Sequence, residues 1–197
     1  MDVHPVETVK RVERNVTGQM DVPNDELDPQ TRMAIQQFGD ALSITTLEII
    51  REKNGDAYSP SGTAGSNRSI SSDKGSVYWQ YYIGLDPEKA KKVEKDCIKI
   101  LKQYMKKGCD QTTLNKVQEQ MIVQHDKSIQ NNGWWLGQIR GYYMTGEDAD
   151  WQVADYNKMV KSITIDDIKT VAAKYFDLNN YVVVTLRPED GAVGTAD

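Results

Sequence analysis

Hydrophobic positions recur along this chain at two periods, and the switches between them mark its elements. From Met33 onward, Phe38, Leu42, Thr45 and Ile49 return at the spacing of one helix face. Asp28 stands where an N-cap belongs, with Pro29 at the first helical position, and Asn54-Gly55 supplies the stop. The pattern therefore predicts a long helix between them. Residues 76–85, SVYWQYYIGL, alternate instead: Val77, Trp79, Tyr81 and Ile83 fall on one side, and Tyr78, Gln80 and Tyr82 on the other. That is the pattern of a strand with one buried face.

Asp86-Pro87-Glu88 restarts a helix, with Ala90, Val93, Cys97, Ile100, Leu101 and Tyr104 as its apolar stripe and Gly108 as its end. The lysines of KAKKVEK fall between those positions with acids among them, which makes them a solvated face. A further helix runs from Thr113 through Leu114, Val117 and Met121. It breaks near Asn131 to Gly133 and resumes as GWWLGQIRGYY, where Gly133, Gly137 and Gly141 lie four apart and predict close packing of another backbone. Thr164 caps a last helix over Ile165 to Phe176, with Asp167 placed to reach back to the cap. Asn179-Asn180 then turns into the strand YVVVTL, ended by Pro188.

Three stretches carry no clear period. Residues 1–27 are polar, with valines at 6, 9 and 12, and are expected to form an arm or a short strand. Pro60 to Gly75, PSGTAGSNRSISSDKG, is expected to be a mobile polar loop, and residues 190–197 a disordered tail. The whole predicts an α+β fold: an antiparallel-rich sheet covered by helices, in one domain.

Composition narrows the function. The 197 residues are 39% hydrophobic and 27% charged, enough for one good-sized core. The 24 Lys+Arg against 29 Asp+Glu give a net charge of −5. With no basic stripe interleaved with aromatics, nucleic acid is not expected as a partner. No apolar run is long enough to span a membrane, and MDVHPVETVK lacks the apolar stretch of a signal peptide. Two cysteines make no framework. If Cys97 lies on the helix ending near Lys107, about 15 Å separates those two positions, so Cys97 and Cys109 are expected to stay unbridged. Cys109, past the helix end, is expected to react faster than Cys97.

Catalytic constellations are scarce. The histidines are His4 and His125. His4-Pro5-Val6-Glu7-Thr8 opens like a zinc-binding helix but lacks its second histidine. His125 has Asp126 and Ser128 one and three positions away, a spacing that builds no nucleophile–base–orienter line on a helix. Asp166 and Asp167 sit in a helix's first turn, where the dipole accounts for them. No glycine-rich phosphate loop occurs. The chain has nothing that carries a hydrolytic or redox reaction alone.

The stretch REKNGDAYS, residues 51–59, remains. By itself Arg51 reads as a cation offsetting a helix C-terminus and Tyr58 as a packed aromatic. Together with SVYWQYYIGLDPEKA, the helix end KKGC, TTLNKVQEQ, NNGWWL and SITIDDIKTVAAKYFDLNNYVVVTLRPE, however, it resembles the C-terminal-type domain of the insulinase/pitrilysin family of zinc metallopeptidases. The resemblance covers residues 28–189, is most specific at Arg51 and Tyr58, and is weakest in the first 27 residues.

Family membership implies a substrate-facing domain, one of several related α+β domains arranged as two halves that close around a peptide. Zinc is expected in a missing catalytic domain, on an inverted H-x-x-E-H helix that this chain lacks. The chain alone is then expected to be inactive, metal-free and part of a longer protease. Its partners would be a peptide or unfolded protein substrate and the zinc-bearing domain. The resemblance makes Tyr58 a transition-state stabiliser and Arg51 a substrate-binding residue. A scaffold or assembly subunit of the same family without peptidase activity is the alternative, and an unrelated binding domain a third reading. Bacterial relatives point weakly to the periplasm.

Overall fold

The stretch expected as an arm or a short strand supplies a 12-residue strand in the middle of the sheet. In the computed structural model, which describes residues 12–147 and 150–186, β1 (Val12–Pro23) pairs along its whole length with β3 (Lys74–Leu85) and along its first half with β4 (Val182–Leu186). β2 (Ser61–Asn67) pairs with the other side of β3, giving the order β2-β3-β1-β4, antiparallel throughout. Strand β1 alternates like a strand with one wet face. Val12, Val16 and Val22 are buried, whereas Glu13, Gln19 and Asp21 are exposed.

β2 corrects a second expectation, since half of the predicted polar loop is an edge strand. It lies along α1 (Pro29–Thr46), close enough that a Cβ on Gly39 would stand 2.8 Å from the Ala64 nitrogen. Only small residues fit between helix and strand, so β2 is built as SGTAGSN and carries no hydrophobic alternation for a reader of the sequence to see. The turn after it is pinned by Asn24. Its Nδ2 donates to the Ser69 and Ser72 carbonyls at 2.9 and 2.8 Å, and its Oδ1 accepts from the Ser69 N–H.

Helices cover one face. α1 starts as expected, with Asp28 accepting from the Gln30 and Thr31 N–H groups and Pro29 at N1. After Asp86 and one 3₁₀ turn comes α2 (Ala90–Lys107), whose six predicted stripe residues are all buried. α3 (Gln111–Ser128) is capped by Asp110, and α4 (Asn132–Thr145) by Asn131. Two short helices that the sequence did not announce follow, α5 (Trp151–Ala154) and α6 (Tyr156–Ser162). α7 (Ile165–Tyr175) has the predicted Thr164/Asp167 capping box.

The core is aromatic at its centre. Phe38 stacks on Phe176 at 4.6 Å and meets Tyr104 edge-on at 5.3 Å. The buried phenols are satisfied: Tyr104 donates to the Ala41 carbonyl at 2.9 Å, and Tyr81 to that of Cys97 at 3.1 Å. Buried Gln37 donates to the Val160 carbonyl at 2.8 Å, tying α6 to α1.

Two further expectations change. Cys109 is buried like Cys97, both are free thiols, and burial raises their pKa values to about 11 and about 12. The glycine face of α4 packs against no second backbone among the described residues: a Cβ on Gly137 or Gly141 would meet open space, one on Gly133 only the Asn131 side chain at 3.1 Å, and α4 buries no residue. His4 and the C-terminal tail lie outside the described residues.

Candidate functional site

The α1 helix does not stop at Thr46. It widens into a π-helical turn over Leu47–Lys53, and Arg51 stands on that turn. Closure is correspondingly one residue wider than the usual Schellman ending: the Gly55 N–H donates to the Arg51 carbonyl at 3.0 Å and the Asp56 N–H to that of Ile50 at 2.9 Å. Gly55 makes the reversal with φ +62°, a conformation that costs a side-chain-bearing residue about 1–2 kcal/mol.

The reversal is anchored on both sides. Ile50 is fully buried in the core. Asp56, also buried, is held by the Lys92 ammonium, with Lys89 3.7 Å away, and Lys89 donates to the Gly55 carbonyl at 3.1 Å. Ala57 then bridges to Leu85 at the end of β3. Asp56 was in plain view inside REKNGDAYS, yet nothing in the sequence links it to lysines more than thirty positions away. Those lysines belong to the run read as solvated; two of them position this segment.

The chain between Ile50 and Leu85 thereby brings Tyr58 beside Arg51. The guanidinium lies over the phenol ring, 4.9 Å from its centroid. Both residues are exposed, Tyr58 by 74%. Among the described residues neither the phenol oxygen nor the guanidinium has a hydrogen-bond or ion-pair partner, so both polar heads are free for a ligand. Tyr58 stands on a bend next to the bridge to β3, in water and not packed as the residue alone suggested. A cleft of about 970 Å³ lies elsewhere, between α1, α3 and α4–α6, and neither residue lines it.

No group of three or more His, Cys, Asp or Glu among the described residues could hold a metal ion. The donor set does not fit zinc: His125 is packed against rings and both thiols are buried and protonated. Among the described residues no helix is long and apolar enough to cross a membrane.

The comparisons agree with this architecture. Residues 5–121, more than half of the chain, match the family described as the peptidase M16 inactive domain. The chain belongs to that family, the insulinase/pitrilysin-type zinc proteases, as an inactive domain. Its fold is similar to the periplasmic protease PqqL from Escherichia coli (18% identity, TM-score 0.72), covering 93% of this chain and 20% of that one. It is also similar to a peptidase M16 inactive domain from Pseudomonas fluorescens (16% identity, TM-score 0.71), covering 89% of this chain and 40% of that one. A third likeness is to the ferredoxin protease FusC in complex with Arabidopsis ferredoxin (14% identity, TM-score 0.67), covering 92% and 19% respectively. The chain thus spans less than half the length of these structures. No curated protein matches the chain.

Proposed function

We propose that this chain closes the peptide-binding chamber of a zinc endopeptidase against a separate zinc-bearing domain, and that Arg51 and Tyr58 reach from it to the substrate. The observation that carries the reading is the exposed Arg51–Tyr58 pair with both polar heads free, fixed on a π turn anchored by Ile50, Asp56 and the Ala57–Leu85 bridge. Attack on a peptide carbonyl builds negative charge on its oxygen, and a neutral phenol about 2.7–3.1 Å away stabilises that charge more in the transition state than in the ground state. Tyr58 supplies such a donor. Arg51 offers a fixed fork of donors that stays charged, suited to carbonyls or carboxylates of an extended peptide. The cation–π contact keeps the two side by side, so a peptide held by Arg51 lies next to the phenol donor.

Substrates in this reading are peptides or proteins; the ferredoxin bound to FusC supports a protein substrate. The test is reconstitution with the zinc-bearing domain from the same source and a quenched peptide. Cleavage by the mixture, with none by this chain alone in zinc, is the expected result. A stable complex that cleaves nothing would leave the domain a scaffold.

A further inference from the structure

The cleft of about 970 Å³ is lined by two carboxylates, four rings, glutamines, serines and apolar side chains, and by no lysine or arginine. Asp40 on α1 and Glu119 on α3 supply the charge, and neither has an ion-pair partner among the described residues. His125 on α3 is 9% exposed and lies flat on Tyr156 of α6, with ring centroids 3.8 Å apart and planes 10° apart. Trp151 of α5 is parallel to Tyr156 within 9° at 6.4 Å, and Trp134 of α4 meets His125 edge-on. Four rings from four helices thus share one wall.

Two polar atoms in that wall are buried without a partner: His125 Nε2 and Trp151 Nε1. Buried polar groups are normally hydrogen-bonded, and an orphan costs free energy until a ligand or water satisfies it. Trp151 Nε1–H can only donate, so it calls for an acceptor such as a carbonyl. A neutral His125 Nε2 can accept from an N–H. The two carboxylates and the ring faces call for a cation. One guest offers all three: a basic side chain attached to a polypeptide backbone.

The Asp40 carboxylate is partly withdrawn from water. Although its side chain reaches water, the surrounding protein desolvates the carboxylate and raises its pKa to about 6. From Trp134, helix α4 continues with Leu136, Ile139 and Tyr143 exposed, an apolar surface that a polypeptide covers and a free amine does not.

We propose that this cleft binds a lysine or arginine side chain of a polypeptide, with the stem along the His125, Tyr156 and Trp151 rings and the charge at Asp40 and Glu119. Arg51 and Tyr58 are not part of this surface, so the proposal stands apart from the peptide-closing role.

The test is titration of the full chain with acetyl-Gly-Arg-Gly-amide, acetyl-Gly-norleucine-Gly-amide and acetyl-Gly-Glu-Gly-amide, read at the His125 ring and the tryptophan indole N–H resonances. Saturable shifts with the arginine tripeptide are expected, at least fivefold tighter than with norleucine. Asp40→Asn should weaken the arginine tripeptide about fivefold, the upper range for one partly exposed ion pair, and lose most of the preference over norleucine. Glu119→Gln provides the same test if Asp40→Asn melts abnormally. Equal binding of the norleucine tripeptide, preference for glutamate, or shifts that never saturate would each overturn the proposal.

Discussion

The Arg51 guanidinium lies over the Tyr58 ring, 4.9 Å from its centroid, although seven positions separate the two residues in the sequence. The contact follows from a π turn, a left-handed glycine and a buried aspartate acting together. If the pair works on substrate, its members should fail in different ways. In the assembled protease, Tyr58→Phe keeps the ring under the guanidinium but removes the donor. It is expected to lower kcat by roughly 10²–10³ with little change in KM, the size for one oxyanion donor. Arg51→Ala is expected mainly to raise KM, the mark of lost uniform binding. Steady-state kinetics on one quenched peptide, with melts to confirm folding, decides; an unchanged kcat for folded Tyr58→Phe removes the catalytic role.

Gly39 sets two effects against each other. In an exposed helix, Gly→Ala stabilises by about 1 kcal/mol. Here the added Cβ would stand 2.8 Å from the Ala64 nitrogen and 3.2 Å from its carbonyl carbon, and strand backbone cannot swing aside as a side chain would. The clash should win, costing about 1–3 kcal/mol and lowering Tm by several degrees. A Tm raised by Gly39→Ala would show that β2 does not press on α1.

Asp40 should make the fold less stable at neutral pH. Its folded pKa is about 6 against an ordinary 3.8, so the fold prefers the protonated carboxyl. The destabilising contribution is complete above pH 6, shrinks as pH falls through that value and is gone below about 3.8. The groups facing it across the cleft are Tyr156 on α6 and His125 and Glu119 on α3. Because the side chain reaches water, screening limits the effect to about 1 kcal/mol, or about 2–4 °C. Asp40→Asn is expected to raise Tm by that amount at pH 7 and by much less at pH 4. Equal gains at both pH values would point to packing instead.

Both thiols should resist modification in the folded chain. Burial pushes Cys97 to about 12 and Cys109 to about 11, so the reactive thiolate is rare at pH 8. A thiol-specific chromogenic reagent should titrate neither quickly at pH 8 and both after denaturation. Rapid reaction of one equivalent in the native chain would contradict the burial of Cys109.

The purified chain should hold no stoichiometric zinc and cleave no peptide alone. Equilibrium dialysis followed by metal analysis checks the first point. One zinc bound tightly per chain would overturn the assignment of this domain as the zinc-free partner.

Sequence alone determined the elements whose signals are local. The caps at Asp28 and Thr164, the alternation from Val77 to Ile83 and the six-residue stripe of α2 each lie within a few turns of backbone, and helical or strand period expresses them directly. The REKNGDAYS stretch also marked the Arg51–Tyr58 pair, through resemblance and not through chemistry visible in the residues themselves. Tertiary structure decided the rest. β1 is a central strand because its valines meet β3 and β4 while its polar alternates face water, a distinction that exists only once the neighbours are in place. β2 is a strand because Gly39 lets it approach α1, so its small residues express a steric fit and not a hydrophobic pattern. The lysines of α2 became partners of Asp56, and His125 a stacked ring beside Tyr156, for the same reason. Contacts between residues far apart in the chain depend on the path of the backbone, and no period in the sequence records it.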